Sequence, residues 1–396
     1  MIKMNVNGTF RFHNVGQGLF YSGLLSKKDG NNHSVFNFVY DCGTESKFDF
    51  LKREIDDYKL LLPTSKNNKS KKIDFLIISH LHDDHVNGLE YLLKEVNVDT
   101  VIMPYMNDAL KLLARLESDS DNEFLQTFYI DPVAWFISKG VHRIFLIGAE
   151  VLYKKNENYL EQRVYIENLD SYVENQDILG IENINETQIV YVKKQLKIYS
   201  NQYCWEFKFE NLKLELEKLD LYIQIVEDFQ KNKCMTLEQI FKSKLLSNEL
   251  MKEIKKVLNC GLNRTSVVLL HRPIKKDAFT FCTLYGYSYW NCFYEDDEYN
   301  FNSTVLTGDI ELKEGESLEI LNTCKRYFVI QYPHHGSGRN NIDYFRNLRG
   351  RIIVLSYGII NKYGHPHSKV LQRLHHICCV NERCSFDYQI FINEIV

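Results

Sequence analysis

The sequence predicts an α/β protein in which two mixed sheets are flanked by helices, with a helical insertion in the middle. Three observations predict it. Short runs of β-branched and aromatic residues recur at both ends of the chain, and helical segments with capping signals alternate with them. Residues 212–258 carry helical periodicity with no strand among them. The candidate chemistry is shared between residues 1–210 and 262–396, so residues 1–396 are read as a single domain with the insertion inside it.

Residues 9–15 and 19–25 read as strands joined by the tight turn Gly16-Gln17-Gly18, and the polar residues 26–34 as a loop. Residues 35–40 run as a strand into Asp41-Cys42-Gly43, which puts an acid at a strand end. The lysine-rich stretch 66–72 reads as a solvated loop. Residues 75–78 are apolar on both faces, the mark of a buried strand, and deliver the chain into Ser79-His80. A helix is expected at Leu89, Leu92 and Leu93, a strand at 101–103 and a helix at 109–116. Asp131-Pro132 reads as an N-cap and first helical residue, with the helix ending at Gly140. Residues 142–147, 189–192 and 205–209 are strands again.

Within the insertion, Leu212, Leu216, Leu219, Ile223 and Val226 recur at helical spacing. Thr236 with Gln239 resembles a capping box, and Leu250, Met251, Ile254, Val257 and Leu258 form another stripe, ended by Gly261. A lid, a contact in a homo-oligomer and plain packing all fit such a segment. Beyond it, residues 266–270, 279–284, 303–306, 328–330 and 352–355 read as strands and 370–375 as a helix.

Composition narrows the function classes. A chain of 396 residues with 44% hydrophobic and 25% charged residues has ample core, and six prolines leave no room for a long disordered linker. The net charge of −4 supplies no global field for nucleic acid, which argues against a protein that holds DNA by charge alone. It leaves room for a nuclease that neutralises phosphate locally with metal ions. Met1 to Asn7 lacks the apolar core of a signal peptide and nothing approaches a membrane span, so a cytoplasmic chain without membrane contact is expected. The ten cysteines include no C-x-x-C pair and read as reduced thiols.

The sharp signal is Ser79-His80-Leu81-His82-Asp83-Asp84-His85. Imidazoles and carboxylates so closely spaced after a buried strand suit borderline divalent metals. His80 and His82 can approach one ion while Asp84 and His85 turn towards a second. Downstream, Leu306-Thr307-Gly308-Asp309 puts an acid after an apolar strand, Pro333-His334-His335-Gly336-Ser337 does the same for two histidines, and Tyr363-Gly364-His365-Pro366-His367 supplies more.

The His80–His85 motif resembles the signature of the metallo-β-lactamase superfamily. Asn14-Val15-Gly16-Gln17-Gly18, Asp41-Cys42-Gly43, Asn263 with Ser266, Gly308-Asp309, His334-His335-Gly336-Ser337 and Asn361 with Gly364-His365-Pro366 go further. In order, they resemble the soluble metallo-β-lactamase domain of the bacterial DNA-uptake channel family and its free-standing relatives. The likeness runs from about residue 12 to 367, interrupted by the insertion. It implies an αββα sandwich and two divalent ions, zinc by default and manganese as the alternative. His80 and His82 would hold the first ion, Asp84 and His85 the second, and Asp309 would bridge them. One of His334 and His335 would complete the site, His334 being the candidate ligand. Asp84, His335 and His365 are the candidate catalytic groups, and Asp41 is the buried acid that would fix the histidine loop. A further ligand histidine of the broad superfamily has only His142 and His271 as candidates here.

The expected activity is metal-dependent hydrolysis of a phosphodiester, by a nuclease or phosphodiesterase, through a metal-activated water. Nucleic acid or a smaller phosphodiester is then the partner, with Ser337, Arg339 and Asn340 cradling a phosphate. The alternatives are hydrolysis of a lactone, thioester or β-lactam, and a metal-stabilised binding or regulatory module without catalysis.

Overall fold

The computed structural model describes residues 2–30, 32–63, 71–118, 122–149, 164–169, 171–173, 177–212, 217–241, 243–258, 261–274, 278–284, 287–291, 302–324 and 326–395. Of the lysine-rich stretch, residues 66–70 lie outside these, and Lys71 and Lys72 open a strand.

Two mixed sheets stack face to face. Among the described residues the larger has eleven strands, with its centre in the order Phe386–Ile395, Ile2–Phe12, Phe20–Asp29, Asn32–Cys42, Lys71–Ile77, Val96–Pro104, Arg143–Ile147 and Thr187–Val192. Pairing is parallel from Asn32–Cys42 through Thr187–Val192. The smaller sheet has seven strands, in the order Gln195–Ser200, Trp205–Glu210, Val268–Pro273, Thr304–Leu306, Tyr327–Gln331, Gly350–Ser356 and Ile377–Val380. Its last four strands are parallel.

The layers follow from which side chains each strand buries. Between the sheets lies an aromatic core that includes Phe10, Phe12, Tyr21, Phe36, Phe38, Phe75, Trp205 and Phe207. Truncating one such Phe to Ala typically costs about 3–5 kcal/mol. The outer face of the larger sheet is covered by helices Phe48–Leu61, Asp108–Glu117 and Glu123–Phe128, and by Tyr222, Val226, Ile240, Leu250 and Ile254 of the insertion. Helices Ile342–Asn347 and Ser368–Arg373 cover the smaller sheet. The architecture is the αββα sandwich of the metallo-β-lactamase fold.

Each strand read from the sequence forms, and the capping signals hold in detail. Asp131 accepts a hydrogen bond from the N–H of Ala134, and Thr236 and Gln239 bond reciprocally. The insertion is helical over Glu217–Lys233, Leu237–Phe241 and Lys244–Leu258. One expectation fails. Residues 26–29 and 32–34 belong to paired strands rather than a loop, because Phe20–Asp29 and Asn32–Cys42 stay paired out to Asp29 and Asn32. Their polar side chains sit on exposed strand ends, where backbone pairing does not require apolar residues. Strand Phe386–Ile395, absent from the expected elements, alternates buried Phe386, Tyr388, Ile390 and Ile392 with less buried residues and pairs with both Ile2–Phe12 and Ala278–Leu284.

Candidate metal centre

Parallel strands in both sheets run out at one edge of the sandwich, and each delivers a candidate group there. Asp41 is the penultimate residue of strand Asn32–Cys42, and the Ser79–His85 loop follows Lys71–Ile77. Asp309 follows Thr304–Leu306, and His334 and His335 follow Tyr327–Gln331. Placing these groups requires unusual backbone. Asp41, His334 and His335 have φ of 57°, 52° and 53°, in the left-handed region that costs a residue with a Cβ about 1–2 kcal/mol. Gly308 also has φ of 54°, and a Cβ there would lie 2.6 Å from that of Ser79. Glycine is what lets the Asp309 loop pack on the histidine loop.

One ligand atom from each of Asp84, His85, Asp309 and His335 lies within 4.8 Å of the others, a cluster able to hold a metal ion. His85 Nε2 is 3.3 Å from Asp309 Oδ1, and His335 Nε2 is 2.9 Å from Asp84 Oδ2. His85 Nε2 and Asp309 Oδ1 are buried with no hydrogen-bond partner. Buried polar atoms are rarely left so, and two of them facing one point fit a missing cation. The outward nitrogens are fixed as metal chemistry needs. His85 Nδ1 donates to Asp41 Oδ2 at 2.7 Å, and His335 Nδ1 donates to the carbonyl of Ser356 at 2.8 Å. Both therefore turn Nε2 towards the cluster. Asp41 also accepts from the N–H and hydroxyl of Ser79, at 2.7 and 2.6 Å.

The electrostatics match. Burial opposes charge on His85, but Asp309, Asp84 and Asp41 outweigh it and raise its pKa well above the ordinary value. Burial likewise opposes charge on His335, and Asp309 and Asp84 raise its pKa to about 9. A divalent cation held there would replace those two protons as the counter-charge to the carboxylates.

His80 and His82 sit beside this cluster. His80 Nε2 faces His82 Nδ1 at 2.9 Å, while the far nitrogens reach Ser79 Oγ at 3.0 Å and Glu117 Oε2 at 2.7 Å. Burial, with His85 and His82 alongside, holds His80 well below the usual imidazole range. It is neutral, the form that binds metal.

The sequence left one of His334 and His335 to the metal, with His334 as the candidate ligand and His335 as a candidate catalytic group. The structure puts His335 in the cluster and leaves His334 at its edge, with Nε2 4.0 Å from Asp309 Oδ2. The amide of Asn263 donates to His334 Nδ1 at 3.0 Å, so the proton of a neutral ring sits on Nε2. His365 stacks beside Tyr363 with its ring 5.4 Å from that of His334. Burial and then His335 and His334 push its pKa down to about 4. The side chain of Asn361 holds the loop, donating to the carbonyl of His365 at 2.7 Å and accepting from its N–H at 3.0 Å.

Asp84, Asp309, His334, His335, His365 and Arg339 all line one cavity of about 800 Å³. Ser337 and Asn340 do not line it. Both are buried, Ser337 Oγ accepting from the N–H of Arg339 and Asn340 Oδ1 from that of Leu312. Neither candidate for the further ligand histidine reaches the centre. His142 is exposed beside Asp99, and His271 lies in the aromatic core bonded to the hydroxyl of Tyr21. Sequence reading missed Gln331, whose amide accepts from the N–H groups of Thr307 and Gly308 and donates to the carbonyl of Gly308. A glutamine ending a strand carries no signal of that role.

Fold and cluster together define a metallo-β-lactamase-type sandwich with a buried cluster able to hold a metal ion. Residues 34–117 match the family model described as the metallo-beta-lactamase superfamily. The chain is 41% identical over 75 residues to ComE operon protein 3 of Bacillus subtilis, covering 18% of this chain and 9% of that protein. It is 31% identical over 93 residues to Recombination protein 2 of Haemophilus influenzae, covering 23% of this chain and 12% of that one. The matched stretch thus spans about a tenth of either relative. Among the described residues no helix is long and apolar enough to cross a membrane.

Proposed function

We propose that the protein is a cytoplasmic, metal-dependent phosphodiesterase, in the first instance a nuclease, working with two divalent cations, zinc or manganese. The observation that carries the reading is the buried Asp84/His85/Asp309/His335 cluster, with two unpartnered ligand atoms, opening on a cavity of about 800 Å³. His80 and His82 would hold one cation, and the Asp84/His85/Asp309/His335 cluster the other. Bound cations supply Lewis acidity to a phosphoryl oxygen and lower the pKa of a water.

The chain's own residues do the rest. Lys313 and Arg339 on the cavity wall attract and orient a phosphate. His334, with its proton on Nε2, donates a hydrogen bond to a phosphoryl oxygen. His365 is neutral near pH 7 and its ring lines the cavity, where it can accept a hydrogen bond from a bound group. The name of one matched relative, a recombination protein, supports a nucleic-acid substrate.

The test is a panel offered to the metal-loaded protein: single-stranded DNA, RNA, bis-p-nitrophenyl phosphate, a cyclic dinucleotide and a simple lactone. Cleavage of at least one phosphodiester, stopped by EDTA, is expected. Cleavage of the lactone alone, under both zinc and manganese, overturns the phosphodiester reading.

A further inference from the structure

Glu117 ends helix Asp108–Glu117 and turns back onto the histidine loop. Its Oε2 lies 2.7 Å from His82 Nε2, and its Oε1 lies 2.7 Å from Lys255 Nζ in helix Lys244–Leu258 of the insertion. The next residue, Ser118, donates to Asp83 Oδ2 at 2.9 Å, and Tyr129 donates to Asp83 Oδ1 at 2.7 Å. One helix end thus grips two successive residues of the loop that carries the histidines. Lys244, Asn248, Met251 and Lys255 of the insertion line the same cavity as Asp84 and Asp309.

We propose that Glu117 is the positioning residue of His82, and that Lys255 makes the helical insertion part of the metal centre's support. This role for Glu117 rests on the metal centre proposed above. A neutral imidazole has one N–H and one lone pair, and a carboxylate on Nε2 demands the N–H there. His82 then presents its Nδ1 lone pair to the point that His80 Nε2 already faces. The His80 tautomer is set the same way: Ser79 Oγ gives its proton to Asp41 and accepts from His80 Nδ1. Two lone pairs 2.9 Å apart repel each other unless a proton or cation lies between them. Glu117 and Asp41, from opposite sides, fix both rings in the orientation that suits a cation. The Glu117 side chain is only 10% exposed, so its bond to His82 is sheltered from water, whereas that of Lys255 is 47% exposed and contributes less.

The experiment is titration of the metal-free full chain with Co²⁺, read by ligand-field absorption, and with Zn²⁺ against a chromophoric chelator. Wild type is compared with Glu117→Ala, Glu117→Gln and Lys255→Met, and melting curves are run beside each. Wild type is expected to take two cations. Glu117→Ala should weaken one of them by about 10–100-fold and change its absorption, with the other retained. Glu117→Gln, whose amide oxygen still accepts from Nε2–H, should recover part of the loss, and Lys255→Met should show a smaller one. If Glu117→Ala does not fold, Glu117→Gln decides by the same affinity readout. Wild-type affinity and spectrum in the glutamate variants overturn the proposal. Uptake of a single cation by wild type, lost on Asp84→Ala and untouched by Glu117→Ala, overturns it while keeping the metal reading. No uptake by wild type removes both.

Discussion

Asp41→Asn exchanges one buried carboxylate oxygen for an amide NH₂ and leaves shape almost unchanged. Asparagine tolerates the left-handed backbone at this position, where φ is 57°. Its remaining oxygen can still accept from the N–H of Ser79. The NH₂, however, replaces the oxygen that accepts from both Ser79 Oγ and His85 Nδ1, at 2.6 and 2.7 Å. An amide NH₂ only donates, so His85 must accept on Nδ1 and carry its proton on Nε2. That nitrogen faces Asp309 Oδ1 at 3.3 Å within the cluster, and once protonated it has no lone pair for a metal. Loss of an orienting carboxylate weakens metal binding by about 10–100-fold, and replacing charge-assisted hydrogen bonds costs about 1.5–3 kcal/mol of stability. The assay is a chelator competition for Zn²⁺ run beside a melting curve. A folded protein with at least about tenfold weaker binding is expected. An Asp41→Asn protein that binds zinc as tightly as wild type would refute the tautomer argument.

Gly43→Ala should destabilise the chain and loosen the metal site together, since a Cβ there would collide with the backbone of Asp84 and His85. Melting and metal affinity check it, and an unchanged affinity would mean that the loop yields freely. His271 should make the fold acid-sensitive, because burial depresses its pKa to about 3. The unfolded chain takes up a proton there below its ordinary pKa near 6.5, so stability is whole above that value and falls by about 1.4 kcal/mol per pH unit down to about 3. His271→Gln should flatten the pH dependence of unfolding by urea, and identical slopes in the two proteins would contradict the assignment. Arg339→Ala should weaken oligonucleotide binding about 10- to 100-fold at low salt and reduce its salt dependence. A loss that is independent of salt would place Arg339 away from phosphate.

The sequence reading succeeds where chemistry is local. His80 to His85 follow an apolar strand at a spacing that a core has no use for, and Asp309 is flagged by the Gly308 turn before it. Capping residues such as Asp131, Thr236 and Gln239 act over three positions, so their roles can be read directly. What stays hidden depends on partners that only folding brings together. The choice between His334 and His335 turns on which nitrogen is occupied, and the occupant, Asn263, lies 71 residues upstream. Glu117 and Gln331 look like ordinary helix-end and strand-end residues until His82 and Gly308 are set against them. Ser337 and Asn340 fall in a Gly-rich stretch that suits a phosphate, but their side chains are committed to holding the loop.

The central claim is that Asp84, His85, Asp309 and His335 hold a metal ion. Plasma mass spectrometry of the purified full chain tests it most directly, on wild type, Asp84→Ala and Asp309→Ala in parallel with circular dichroism. The account predicts about one or more equivalents of zinc or manganese in wild type, and a clear loss in both variants with the fold retained. Only trace metal in wild type after loading and desalting, or a content that neither substitution changes, would contradict it.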